Sequence, residues 1–141
     1  MTDQSKMPTE YDYRLAVLHK MVEMKPVLDP AFEHSLEKHT FKDAFDLVAC
    51  GKCLFFWKGN SCAVLEWRVF PVGKTIHCLW AGGKYAELLE LYDGVAAFAK
   101  TNGAVAMTTL GRDGFRKRLP KAGWKIAGTW FVKEFAKGES Q

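Results

Sequence analysis

In the first part of the chain apolar residues recur every three to four positions, and in the middle they crowd into short runs separated by turn residues. From Tyr13, the positions Leu15, Val17, Leu18, Met21 and Val22 share one helical face, which predicts an amphipathic helix ending before Pro26. A second helix is expected from Asp29, an N-cap residue followed by Pro30 at the first helical position, with Phe32, Leu36 and Phe41 on its buried side. The runs at 45–57, broken near Cys50-Gly51-Lys52, at 61–70 and at 75–81 read as strands. Gly59-Asn60 and Pro71-Val72-Gly73-Lys74 are turn signals between them, so these runs form an antiparallel meander.

After the meander, Leu88, Leu89, Leu91, Tyr92, Val95, Ala96, Phe98 and Ala99 make a broad helical stripe that Asn102-Gly103 stops. Residues 104–110 show no polar alternation until Thr108 and read as an interior strand covered on both faces. A helical crossover of about twenty residues separates this strand from 75–81, so the two should run parallel in one mixed sheet. Residues 112–122 predict a short basic helix despite Pro120, and 127–135, with Thr129, Trp130, Phe131 and Val132, predict a final strand. The fold class is α+β.

Composition narrows this picture. A chain of 141 residues, 48% of them hydrophobic, fits one folded domain, here residues 11–141 behind a polar flexible arm at 1–10. Lys52 and Lys58 bracket the most apolar run, so no segment approaches the roughly 18 residues of a membrane span, and the polar first ten residues lack a signal-peptide core. A cytoplasmic protein is expected, with Cys50, Cys53, Cys62 and Cys78 reduced. The net charge of +4 suits an anionic cofactor, a nucleic acid or simple solubility equally well.

Four constellations could carry chemistry. The turn Ala81-Gly82-Gly83-Lys84 precedes a helix, where backbone N–H groups and the helix dipole can cradle a phosphate; glycine torsions in an ordinary turn explain it as well. Glu66 and His77 on the middle strands are the candidate bases, against ordinary roles as an ion-pair partner and a hydrogen-bonded structural histidine. Cys50-x-x-Cys53 has the spacing of metal ligands, but Cys62 and Cys78 stand alone on other strands, so no metal site is expected. Arg112, Arg116, Lys117, Arg118, Lys121 and Lys125 form a basic surface beside Phe115 and Trp124, suited to cofactor phosphates, to a nucleic-acid backbone or to solvent.

The order strand, glycine turn, helix, strand, helix, Gly123-Trp124 resembles the acyl-coenzyme A half of the GNAT N-acetyltransferases, over residues 45–135. The resemblance implies a mixed central sheet with helices on both faces, acetyl-CoA as cofactor and a small-molecule or protein amine as acceptor. Aligned on Leu88-Leu89, the family's pyrophosphate loop falls on Trp80, Ala81, Gly82, Gly83 and Lys84, with Gly83 as the matching glycine and Tyr85 at the last small position. Arg112 and Arg116 would lie toward the nucleotide, and Glu66 or His77 would serve as base. Aligned on Gly123-Trp124, Leu119 stands where the family carries its tyrosine acid. The segments 110–115 and 121–124 are similar to small phage-encoded members of the superfamily, which implies the alternative of a non-catalytic, virion-associated protein with virion proteins as partners.

Overall fold

The computed structural model describes residues 9–33, 38–110, 113–128 and 131–135. It divides into two compact units, Met1–Leu110 and Gly111–Gln141. The first contains α1 (Glu10–Glu23), α2 (Lys25–Glu33), α3 (Phe41–Ala49), β1 (Leu54–Lys58), β2 (Ser61–Phe70), β3 (Gly73–Gly82), α4 (Tyr85–Thr101) and β4 (Ala104–Thr109). The strands lie in the order β1-β2-β3-β4, with the first two pairings antiparallel and β3–β4 parallel, as the helical crossover predicts.

The amino-terminal helices differ from the expectation. Helix α2 begins at Lys25 rather than Asp29: Leu28 N–H already donates to Met24 O (3.1 Å), and Asp29 sits in the second turn, paired with Lys25 at 2.9 Å, instead of capping. Pro26 therefore falls in the first turn, where its missing N–H costs nothing, and Pro30 lies inside the helix. Leu36 lies outside the described residues, while residues 45–49, expected as the start of a strand, and Phe41, expected on the second helix, belong to helix α3. The reason is a reciprocal cap: Thr40 N–H donates to Asp43 Oδ2 (2.8 Å) and Asp43 N–H to Thr40 Oγ1 (3.4 Å). The backbone bond from Thr40 also holds the Asp43 carboxyl below the usual carboxylate range. The strand begins only at Leu54, after Gly51 (φ 84) turns the chain and the N–H groups of Lys52 and Cys53 return to Leu47 O.

Two apolar layers sandwich the sheet. On one face Met21, Met24, Leu28 and Phe32 pack with Ala44, Phe55, Cys62, Val64 and Trp80. The Phe32 and Trp80 rings lie 5.1 Å apart. On the other, α4 lays buried Leu88, Leu91, Tyr92, Val95 and Ala99 against strand residues that include Leu65, Ile76 and Cys78. Tyr92 Oη meets Cys78 Sγ at 3.6 Å, and the Phe98 ring meets Phe56 and Trp67. Between β2 and β3 the register slips: Val64 pairs with Trp80 and Leu65 with Cys78, which leaves Leu79 as a bulge.

Strand β4, expected as interior, is an edge strand among the described residues. Among the described residues it pairs with β3 alone, and Val105 is 68% exposed. The final strand expected at 127–135 is not formed in its described residues, and Thr129 and Trp130 lie outside them. Aromatic and β-branched content reports a fit to a pleated neighbour, and no ladder partner is present there among the described residues. In the second unit, α5 (Asp113–Arg118) tightens into a 3-10 turn over Leu119–Ala122, which accommodates Pro120 at its start. Gly123 (φ 95) then reverses the chain, and Trp124 N–H closes on Leu119 O at 3.1 Å.

Glycine 82 tests the seating of α2, since a Cβ there would run into the Val27 carbonyl. Gly82→Ala is expected to cost about 1–3 kcal/mol in urea denaturation through overpacking. Gly94→Ala, in α4 with no neighbour within 4 Å of the new Cβ, should gain up to about 1 kcal/mol. Equal midpoints for the two variants would show that α2 does not rest on the end of β3.

Candidate functional site

The parallel strands part at their carboxyl ends. The last β3–β4 pair is Cys78–Thr109, and β3 continues to Gly82 without β4 beside it. Just before this divergence three polar residues align across three strands, since Glu66 is the register partner of His77 and His77 that of Thr108. Directly opposed residues share a face of the sheet. His77, only 6% exposed, has Nδ1 at 2.7 Å from Thr108 Oγ1. Glu66 Oε2 accepts from Arg68 Nε at 2.9 Å. Thr108 was missed as a site residue, although its signal was visible as the first polar side chain in the 104–110 run.

The glycine turn is occupied by the protein itself. Gly82 faces the Val27 carbonyl, and Gly83 (φ +122) lies directly over Ser61, so a Cβ at either position would collide. The α4 N-cap, Lys84, makes no side-chain cap, and its N–H instead donates to Ser61 Oγ at 3.1 Å. Ser61 is fully buried and donates in turn to Glu87 Oε1 at 2.9 Å. Gly59 (φ 58) lets the β1–β2 turn approach the same Glu87 carboxylate. A hydroxyl from β2 and a carboxylate from the first turn thus serve the positive end of α4.

The other expected site residues are placed as follows. Trp80 is a core residue whose ring meets Phe32 and His39, and Ala81 pairs with Ala63 in the β2–β3 ladder. Lys84 is exposed. Arg112 lies outside the described residues, and of Arg116 only the backbone, within α5, is described. Leu119 is buried. Surface hollows of about 490 Å³, beside Phe32 and His39, and about 290 Å³, beside Val17 and Phe55, include neither the α4 turn nor Glu66 and His77.

The cysteines are free thiols, with Cys50 exposed and the other three buried. Burial, then the Glu66 charge and Cys50, pushes Cys53 up to about 11. Burial, then Cys78, pushes Cys62 up to about 12. Burial also carries Cys78 up to about 11, against hydrogen bonds to Tyr92 and Thr109 that lower it. Among the described residues no three His, Cys, Asp or Glu side chains are grouped to hold a metal, and no helix is long and apolar enough to cross a membrane.

No family model matches the sequence, and neither does any curated protein. Solved structures do resemble it. A point mutant of TTHA1254 from Thermus thermophilus superposes with a TM-score of 0.52 at 18% identity, over 83% of this chain and 93% of that one. Glucosamine-6-phosphate N-acetyltransferase from Arabidopsis thaliana does so at 0.52 and 11% identity, over 92% and 97%. A tetramutant of BH1408 from Bacillus halodurans reaches 0.50 at 13% identity, over 92% and 97%. The mixed sheet with helices on both faces is thus a GNAT-like acyltransferase fold.

Buried thiols with raised folded-state values hold their protons more tightly folded than unfolded. Their stabilising effect is complete below the unfolded value of 9.0 and is lost as pH rises toward about 11 to 12. The urea midpoint should therefore fall above pH 9, and Cys62→Ala should show a shallower fall than the wild type. Iodoacetamide on the folded protein should label Cys50 alone, and early labelling of Cys62 or Cys78 would refute their burial.

Proposed function

We propose that the chain is a non-catalytic protein built on the acetyltransferase fold, one that works through contacts with other macromolecules. The observation that carries this reading is the closure of the α4 terminus by Ser61 and Glu87. A pyrophosphate arriving there would have to take the Lys84 N–H from Ser61 and lie against a carboxylate. A helix terminus attracts an anion by roughly 0.3–1 kcal/mol near a surface. Two like unit charges about 4 Å apart repel by about 4 kcal/mol at an effective dielectric near 20, so repulsion wins. The residues at this turn do not fit acetyl-CoA. Leu119, in the place of the family's tyrosine, adds no acid.

A second reading, N-acetyl transfer from acetyl-CoA to a small-molecule or protein amine, is favoured by the line Glu66, His77, Thr108 beside the strand divergence. With Nδ1–H donating to Thr108 Oγ1, His77 Nε2 would carry the lone pair that a base needs. Calorimetric titration with acetyl-CoA, paired with a thiol-release assay over a panel of amines, separates the two readings. The first expects no binding heat and no release above buffer, with weak anion binding appearing on Glu87→Gln. Micromolar binding with release that His77→Gln lowers about 100-fold or more would overturn it in favour of the second.

A further inference from the structure

The charge of this protein is segregated. Residues Met1–Leu110 carry twelve lysines and arginines against thirteen acids, whereas Gly111–Gln141 carry eight against three. The whole net charge of +4 therefore originates in the second unit. Within it, residues 114–133 contain Arg116, Lys117, Arg118, Lys121, Lys125 and Lys133 and no acid at all. A solvated helix surface ordinarily mixes signs so that neighbours neutralise one another. Helix α3 does so with Lys42–Asp46 at 2.7 Å. Among the described residues Lys117, Lys121 and Lys125 have no ion-pair partner, and all three are exposed.

These cations sit on a built turn. Lys117 lies in the last turn of α5, Lys121 lies in the 3-10 turn anchored by buried Leu119, and Lys125 follows the Gly123 reversal that Trp124 N–H locks onto Leu119 O. Large apolar side chains share the unit in an unusual state: Phe131 is 89% exposed, Phe135 66% and Ile126 56%. Exposed aromatic planes in a segment, 114–135, that sets six cations against the single acid Glu134 match what a single-stranded nucleic acid needs, phosphates for the lysines and bases for the rings. An anionic lipid surface would use the same charges, but it takes up aromatic residues on the apolar face of an amphipathic helix, and residues 124–128 and 131–135 are not helical.

We infer that the second unit is a contact surface for single-stranded nucleic acid, with Lys117, Lys121 and Lys125 on the phosphates and Phe131 and Phe135 as stacking planes. None of these residues belongs to the α4 turn, and competition by coenzyme A distinguishes this surface from a cofactor site.

The test is fluorescence anisotropy of a labelled oligothymidylate titrated with the full chain. Three phosphate contacts predict a log–log salt slope of about −2, hence roughly a twentyfold loss of affinity between about 50 and about 200 mM salt. The triple variant Lys117→Glu, Lys121→Glu, Lys125→Glu should weaken binding more than about tenfold and flatten that slope. Phe131→Ala should weaken it about tenfold with the slope unchanged. Thermal melts monitor folding, and the triple Gln variant stands in if charge reversal lowers the midpoint. No anisotropy change at low salt would overturn the inference, as would undiminished binding by the triple variants. Binding to phosphatidylserine vesicles without binding to the oligonucleotide, or displacement of the oligonucleotide by equimolar coenzyme A, would overturn it too.

Discussion

The hydroxyl of Ser61 is the point on which the first unit is hung. It accepts from the backbone of Lys84, donates to Glu87 and is fully buried. Through it the start of β2 is joined to the start of α4, elements separated in sequence by the whole β2–β3 hairpin. A helix begins with N–H groups that its own turn cannot satisfy, and a lysine N-cap offers no acceptor. Ser61 supplies one, and Gly59 and Gly83 are the residues that let the two backbones come close enough. The face that α4 covers, with Leu65, Ile76 and Cys78 beneath it, depends on this docking for its angle.

What could be read from the sequence was set by how local each cause is. The strand at 61–70 and the stop at Asn102-Gly103 follow from alternation and turn chemistry within a few residues, and the structure places β2 and the end of α4 there. The parallel pairing of β3 with β4 followed from connection length alone. Helix α3 was missed because Phe45, Leu47 and Val48 look like strand residues when the Thr40–Asp43 cap before them goes unread. Helix α2 was displaced for a related reason: Asp29-Pro30 is a good start signal, but Leu28 N–H already donates to Met24 O, and Asp29 sits in the second turn beside Lys25. The final strand expected at 127–135 depends on a non-local ladder partner, and its described residues have none among the described residues.

The candidate site was legible only as separate residues. Glu66 and His77 were named individually, while their register pairing and the bond to Thr108 depend on strand pairing that spacing does not determine. Ser61 and Glu87 carried no signal, because nothing in a serine opening a strand or a glutamate in a first turn says that they meet. The resemblance behind the site was one of topology, and a shared topology can persist when the groups that do chemistry have been replaced.

The Gly82-Gly83 pair carries two readings that its sequence does not separate. A glycine at a strand-to-helix turn reports that something comes close to the backbone, without saying what. In a phosphate loop the visitor is a ligand. In this chain it is Val27 at one glycine and Ser61 at the other, both supplied by the protein. The two cases demand the same residue and the same positive φ at Gly83, so they are indistinguishable until the neighbours are known. What separates them is charge: a terminus kept for an anion leaves its donors unshared and its first turn free of carboxylates near them, and α4 does neither.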